Sequence, residues 1–187
     1  MIRICDTNKK LNTLSMYSMS EHIKYITIDG RVNADYLPFA ESFTEFPDKV
    51  GKVKSFSIVS VELPIAFAID VSNELCACPR YVYLEVVENR EHDCTSESHH
   101  LFTSSIICSR NSKYIIARIT LDYKNYPAGS ILPANLFNGL LISGIRKYHK
   151  PAHLRDLYFR MLNEVGDPIF FENECISFCI QAECAHE

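Results

Sequence analysis

Short runs in which every second residue is apolar recur along the chain, while helical periodicity is nearly absent. Successive side chains of a strand point to opposite faces, so this alternation predicts strands buried on one side. The plainest case is the stretch from Leu154 to Ala182. Leu157, Phe159 and Met161 alternate with Tyr158 and Arg160, and Asn163 to Asp167 then carries turn chemistry, with Gly166 able to take positive φ. After Pro168 the pattern resumes through Ile169, Phe170 and Phe171, then Ile176, Phe178, Ile180 and Ala182. This predicts a closing hairpin whose apolar rows face another sheet, because a lone hairpin is marginal in water.

The same reading extends upstream. Met1 to Glu21 is polar and without a period, and predicts an N-terminal arm ahead of one domain over 22–187. His22 to Ile28 predicts a first strand ended by Asp29 and Gly30, and Phe39 to Phe46 a short edge element. Lys52 to Leu63 predicts the longest strand. Its apolar phase flips between Ile58 and Val59, which calls for a β-bulge or for a central strand covered on both faces. Pro64 ends it, having no N–H to pair. Tyr81 to Glu88 places Val82, Leu84 and Val86 on one face.

Leu101 to Cys108 and Tyr114 to Tyr123 predict a hairpin across Ser109 to Lys113, with Ile115, Ala117, Ile119 and Leu121 turned inward. Between Ile131 and Tyr148, Leu136, Leu140, Phe137, Leu141 and Ile145 fit a helical stripe. Asn138-Gly139, a strong hairpin dipeptide, and Gly144 favour strand instead. The sum is an all-β domain of about eight antiparallel strands in two sheets, for which a single jelly-roll sandwich is the regular solution.

Composition narrows the function. A chain of 187 residues with 22 % charged side chains and a formal charge of −4 offers no broad basic surface, so nucleic acid is an unexpected partner. Met1 to Ser20 has no apolar block of signal-peptide length, and Ile131 to Ile145 is too short and too interrupted to span a bilayer. A soluble chain without a transmembrane segment is expected, made in the reducing cytoplasm, with the eight cysteines as thiols.

Candidate chemistry is thin. A cupin-type metal site needs His-x-His on one strand face, whereas His99 and His100 are adjacent, and His149 and His153 flank Pro151. Cys76 with Cys78, and His92 with Cys94 and His99, offer zinc ligands without the spacing of a zinc knuckle; Cys175 and Cys179 stand about 13 Å apart along a strand. No nucleophile elbow or phosphate-binding glycine loop is present. No enzyme activity, catalytic residue, metal or cofactor is expected. Arg118, Arg146, Arg155 and Arg160 are explained most cheaply as solvated sheet-face residues and next as partners of carboxylates, Tyr36 and Tyr126 as surface tyrosines able to anchor an interface, and nothing in the sequence demands that Cys108 pair with a neighbour.

Several residues carry a resemblance. Tyr25-Ile-Thr-Ile-Asp29-Gly30-Arg31, the strand from Val53 ending in Val61-Glu62-Leu63-Pro64, Asn73, and the close formed by Pro151, Leu154, Leu157, Gly166, Phe171, Ser177-Phe178 and Ile180 resemble the jelly-roll capsid proteins of large icosahedral double-stranded DNA viruses. The resemblance implies a virion structural protein, with host cytoplasm as the place of assembly and the capsid as its destination. A chain of this length matches a single jelly roll. It implies a penton protein forming homopentamers at the vertices, or a minor capsid protein under the shell, with the major and minor capsid proteins as partners. A carbohydrate-binding jelly-roll module is the reading from another class.

Overall fold

The computed structural model describes residues 4–5, 22–29, 42–45, 50–65, 79–88, 96–97, 114–169 and 176–185. Among these residues every regular element is a strand: β1 (Ile4–Cys5), β2 (His22–Asp29), β3 (Ser42–Glu45), β4 (Val53–Pro64), β5 (Tyr81–Glu88), β6 (Ser96–Glu97), β7 (Ile115–Thr120), β8 (Ile131–Asn135), β9 (Leu141–Ser143), β10 (Ile145–Ala152), β11 (Asp156–Leu162) and β12 (Ser177–Cys184). They form two antiparallel sheets. The first runs β1-β2-β12-β4-β10-β6 with β8 also on β4, and the second runs β3-β11-β5-β7-β9. The expected fold class, all-β with two antiparallel sheets, is the one observed. Of the predicted 1–21 arm, Ile4 and Cys5 pair with Ile26 and Tyr25 of β2; the rest of it, and the predicted strand 101–108, lie outside the described residues.

The sheets are held face to face by the apolar alternation. Ile26, Ile28, Phe56, Ile58, Val61, Leu63, Phe178 and Ile180 of one sheet meet Val82, Leu84, Val86, Ile119, Leu157, Phe159 and Met161 of the other in one buried cluster. Phe159 and Phe178 stand edge to face, ring centroids 4.9 Å apart. That geometry brings a positive ring edge onto a negative ring face.

The phase flip in β4 is a bulge. Cys179 pairs with Ser60 and Ile180 with Ile58, which leaves Val59 without a partner on β12. The inward row therefore shifts from Phe56 and Ile58 to Val61 and Leu63. A second bulge, in β7, corrects the expected phase there. Leu84 faces Ala117 but Glu85 faces Ile115, so Ile116 is the extra residue and joins the core. Ile115 is turned to the outer face of its sheet, in a small apolar cluster with Tyr83 and Leu162.

The predicted closing hairpin is not a hairpin. β11 lies in the second sheet between β3 and β5, while β12 lies in the first between β2 and β4. The turn at 163–167 does form, with Asp167 and Val165 donating backbone N–H to Asn163 Oδ1, and Gly166 at φ 92°. It reverses the chain locally at Leu162 and Pro168. The two apolar rows face each other instead of jointly facing a third partner. The Asn138-Gly139 turn likewise joins β8, paired with β4, to β9, paired with β7 in the other sheet.

Four of the strand pairings form a nested order. β2 pairs with β12, β3 with β11, β4 with β10, and β5 with β7. From β2 onward the early strand of each pair meets a late one, and each inner pair repeats the rule.

Candidate functional site

The most distinctive surface lies where the chain changes sheets between β8 and β10. β8 runs along β4 until Asn135 faces Ser60, and β10 takes up the same edge where Ile145 faces Ser57. Between them the chain leaves the first sheet, makes one turn, pairs with β7 as β9, and returns through Gly144, whose N–H donates to Ile116 O at 2.8 Å. The excursion opens the ladder beside the β4 bulge. Ser143 Oγ fills the opening, accepting the Ile58 N–H at 2.9 Å. A buried amide is thereby satisfied by a side chain in place of a strand.

The turn itself is held by two asparagines. Asn135 Oδ1 accepts the N–H of Phe137 and Asn138, and Asn138 Oδ1 accepts the N–H of Asn135 and Leu140, all at 2.9–3.1 Å. Asn138 Nδ2 also donates to Pro133 O at 2.7 Å, and Gly139 takes φ 73°. At its tip Phe137 is 100 % exposed. Ile131, Leu136, Ile142 and Ile145 are also exposed, so five of the seven exposed large apolar residues among those described fall within 131–145. That segment contains no ionisable residue.

A polar cluster spans the interior. Arg146, on the inner face of β10, is 3 % exposed; it pairs with Glu88 at the end of β5 and donates to Val86 O at 2.8 Å and Tyr114 O at 3.0 Å. Tyr148 donates its hydroxyl to the other Glu88 oxygen at 2.8 Å. The Arg146 guanidinium sits 5.6 Å from the Phe56 ring centroid. Every polar group here has a partner, the condition for burying a charged pair. This corrects the sequence-based expectation for Arg146, which is an interior residue joining the sheets. Arg118 and Arg160 do lie on the outer face of the second sheet, half-buried, the first 4.3 Å over the Tyr81 ring and the second paired with Glu85. Arg155 is exposed.

Three residues of the sequence motifs come together in one row of the first sheet. Ser177 stands between Asp29 and Glu62, and its hydroxyl donates to Glu62 Oε2 at 3.0 Å. One row separates this from Thr27, Cys179 and Ser60.

Of the remaining candidates, His149 and His153 are exposed beside Pro151, and Tyr126 is partly buried against the core, so it is no free-standing anchor. Cys179 and Cys184 are free thiols, and burial pushes both above the ordinary thiol range. Tyr36, Cys76, Cys78, His92, Cys94, His99, His100, Cys108 and Cys175 lie outside the described residues. Among the described residues no three His, Cys, Asp or Glu side chains converge, and no helix is long and apolar enough to cross a membrane. The exposure of Phe137 is not legible from sequence, because an apolar residue in an apolar run reads as core. Its one signal is its place beside Asn138-Gly139, at a turn.

No protein-family model matches the chain, and no curated protein is significantly similar to it.

Proposed function

We propose that this chain is a virion structural protein built as a single jelly roll, acting as a penton at the vertices of an icosahedral capsid. The observation that carries the reading is the nested pairing, β2 with β12, β3 with β11, β4 with β10 and β5 with β7. Rolling up one long two-stranded ribbon produces that order, and a roll of eight strands in two sheets is the form used by viral capsid domains. Lectins and cupins use it too, so the strand order alone does not select the function.

The sequence resemblance supports the capsid reading among these, and its pieces are spatially coherent: Asp29, Glu62 and Ser177, far apart in the chain, stand side by side. The role is geometric. A body fixed by its core presents loops and edges to identical neighbours, and a head-to-tail contact that closes after five copies forms a ring. Quantitative mass spectrometry of purified particles, with an icosahedral reconstruction, tests this. Five copies at each vertex are expected. A larger copy number beneath the shell would assign the minor capsid role instead, and absence from particles would remove the capsid reading altogether.

A further inference from the structure

We infer that Arg146 is the tie that positions the excursion of the chain over 89–113, holding the point where it leaves the second sheet to the point where it returns. The tie is the same whatever partner the excursion meets, so it does not rest on the capsid reading.

β5 and β7 are antiparallel neighbours whose pairing runs from Tyr81 with Thr120 to Glu85 with Ile115. A short turn beyond that last pair would complete a hairpin. Instead Val86, Val87 and Glu88 carry β5 onward beside β11. The chain then reaches the first sheet, where Ser96 and Glu97 of β6 pair with Tyr148 and Lys147 of β10, and it comes back to the second sheet at Tyr114.

Arg146 sits at the neck of this excursion. On the departing side its guanidinium donates to Val86 O at 2.8 Å and pairs with Glu88; on the returning side it donates to Tyr114 O at 3.0 Å. Tyr148, the next inward residue of the same strand, supports Glu88 through its hydroxyl at 2.8 Å. One side chain thus joins the two strands where their own ladder has ended, and the adjacent backbone at Lys147 and Tyr148 carries β6. Departure, mid-course contact and return are all fastened to three consecutive residues of β10.

The geometry calls for arginine. A guanidinium presents its N–H donors in a fixed planar fork, whereas a lysine ammonium keeps the charge beside Glu88 without spanning two carbonyls and a carboxylate. Arg146 is 3 % exposed, so water is a poor substitute for a missing donor. Closing a long loop costs entropy, and what pins its ends together decides whether the pairing of β6 with β10 persists.

Hydrogen exchange of the full chain, read by mass spectrometry, tests this. Arg146→Lys is expected to speed exchange in peptides covering Ser96–Glu97 and Tyr114–Ile116 by about tenfold or more, while peptides from β2 and β12 quicken only as far as the loss of global stability in urea accounts for. Tyr148→Phe removes one hydrogen bond to Glu88 and leaves both charges in place. It is expected to give a smaller rise confined to the same peptides, and it carries the test if Arg146→Lys does not fold. Arg118→Lys, an arginine over the Tyr81 ring on the outer face, is expected to leave the Ser96–Glu97 peptide unchanged. Three outcomes would overturn the assignment: a rise in β6 no greater than in β2 and β12, an equal rise in Arg118→Lys, or wild-type exchange at Ser96–Glu97 as fast as in the unfolded chain.

Discussion

Arg146 and Glu88 come from opposite sheets and meet in the closed space between them, their side chains 3 % and 6 % exposed. Such a pair costs desolvation energy on both sides, and its hydrogen bonds to Val86 O, Tyr114 O and the Tyr148 hydroxyl offset that cost. The pair fixes how the sheets sit on each other, because both partners must be in place together.

Removing one member strands the other. Arg146→Met is expected to destabilise the fold by about 3–5 kcal/mol in urea denaturation, because Glu88 stays buried without its counter-ion. The double change Arg146→Met with Glu88→Leu is expected to recover most of that loss. A double variant no more stable than Arg146→Met would show that the Arg146 guanidinium matters through its other contacts.

Ser143→Ala removes the acceptor of the Ile58 N–H at the break in the β4 ladder. An orphaned buried amide costs about 1–3 kcal/mol. Hydrogen exchange at Ile58 is expected to quicken by more than the global stability change alone explains.

Gly139 has φ 73° and open space around the position a Cβ would take. Gly139→Ala is therefore expected to lower stability by about 1 kcal/mol from backbone strain alone, and Gly139→Asn by less, since asparagine tolerates this region. Thermal melts of the two variants against the wild type check the order.

Burial raises the thiol pKa of Cys179, which accepts weak opposition from Thr27, and of Cys184, where Lys24 opposes it. In the unfolded chain both thiols return to the ordinary value of 9.0. The folded state holds its protons more tightly, so the stability they contribute is whole below pH 9 and falls as the pH rises through the folded values. Stability measured from pH 8 upward is expected to decline less steeply in a Cys179→Ala, Cys184→Ala variant than in the wild type. Alkylation by iodoacetamide at pH 8 is expected to be slower in the native protein than in urea.

Local pattern and global arrangement were unequally readable. Alternation in Tyr81–Glu88 and the slip at Ile58 and Val59 are properties of one strand against its own neighbours, and both were legible. The partner of a strand is not. Asn163 to Asp167 and Asn138-Gly139 announce that the chain turns, yet the turn is equally compatible with the next strand joining the same sheet or crossing to the other. Here both cross, because β12 finds its partners in β2 and β4, and β9 in β7. Arg146 failed differently. A charged residue among Ile145, Lys147 and His149 gives no sign that its counter-ion, Glu88, waits on another sheet.

The pairing of earliest with latest also sets a schedule for synthesis. Ile26 and Ile28 leave the ribosome long before Phe178 and Ile180, the residues beside which they are finally buried. Until β12 emerges, the middle of the first sheet has a vacant slot between β2 and β4, with apolar rows open on either side. Contacts this distant in sequence form slowly and leave nascent chains prone to clumping. The first sheet therefore cannot close until β12 has left the ribosome.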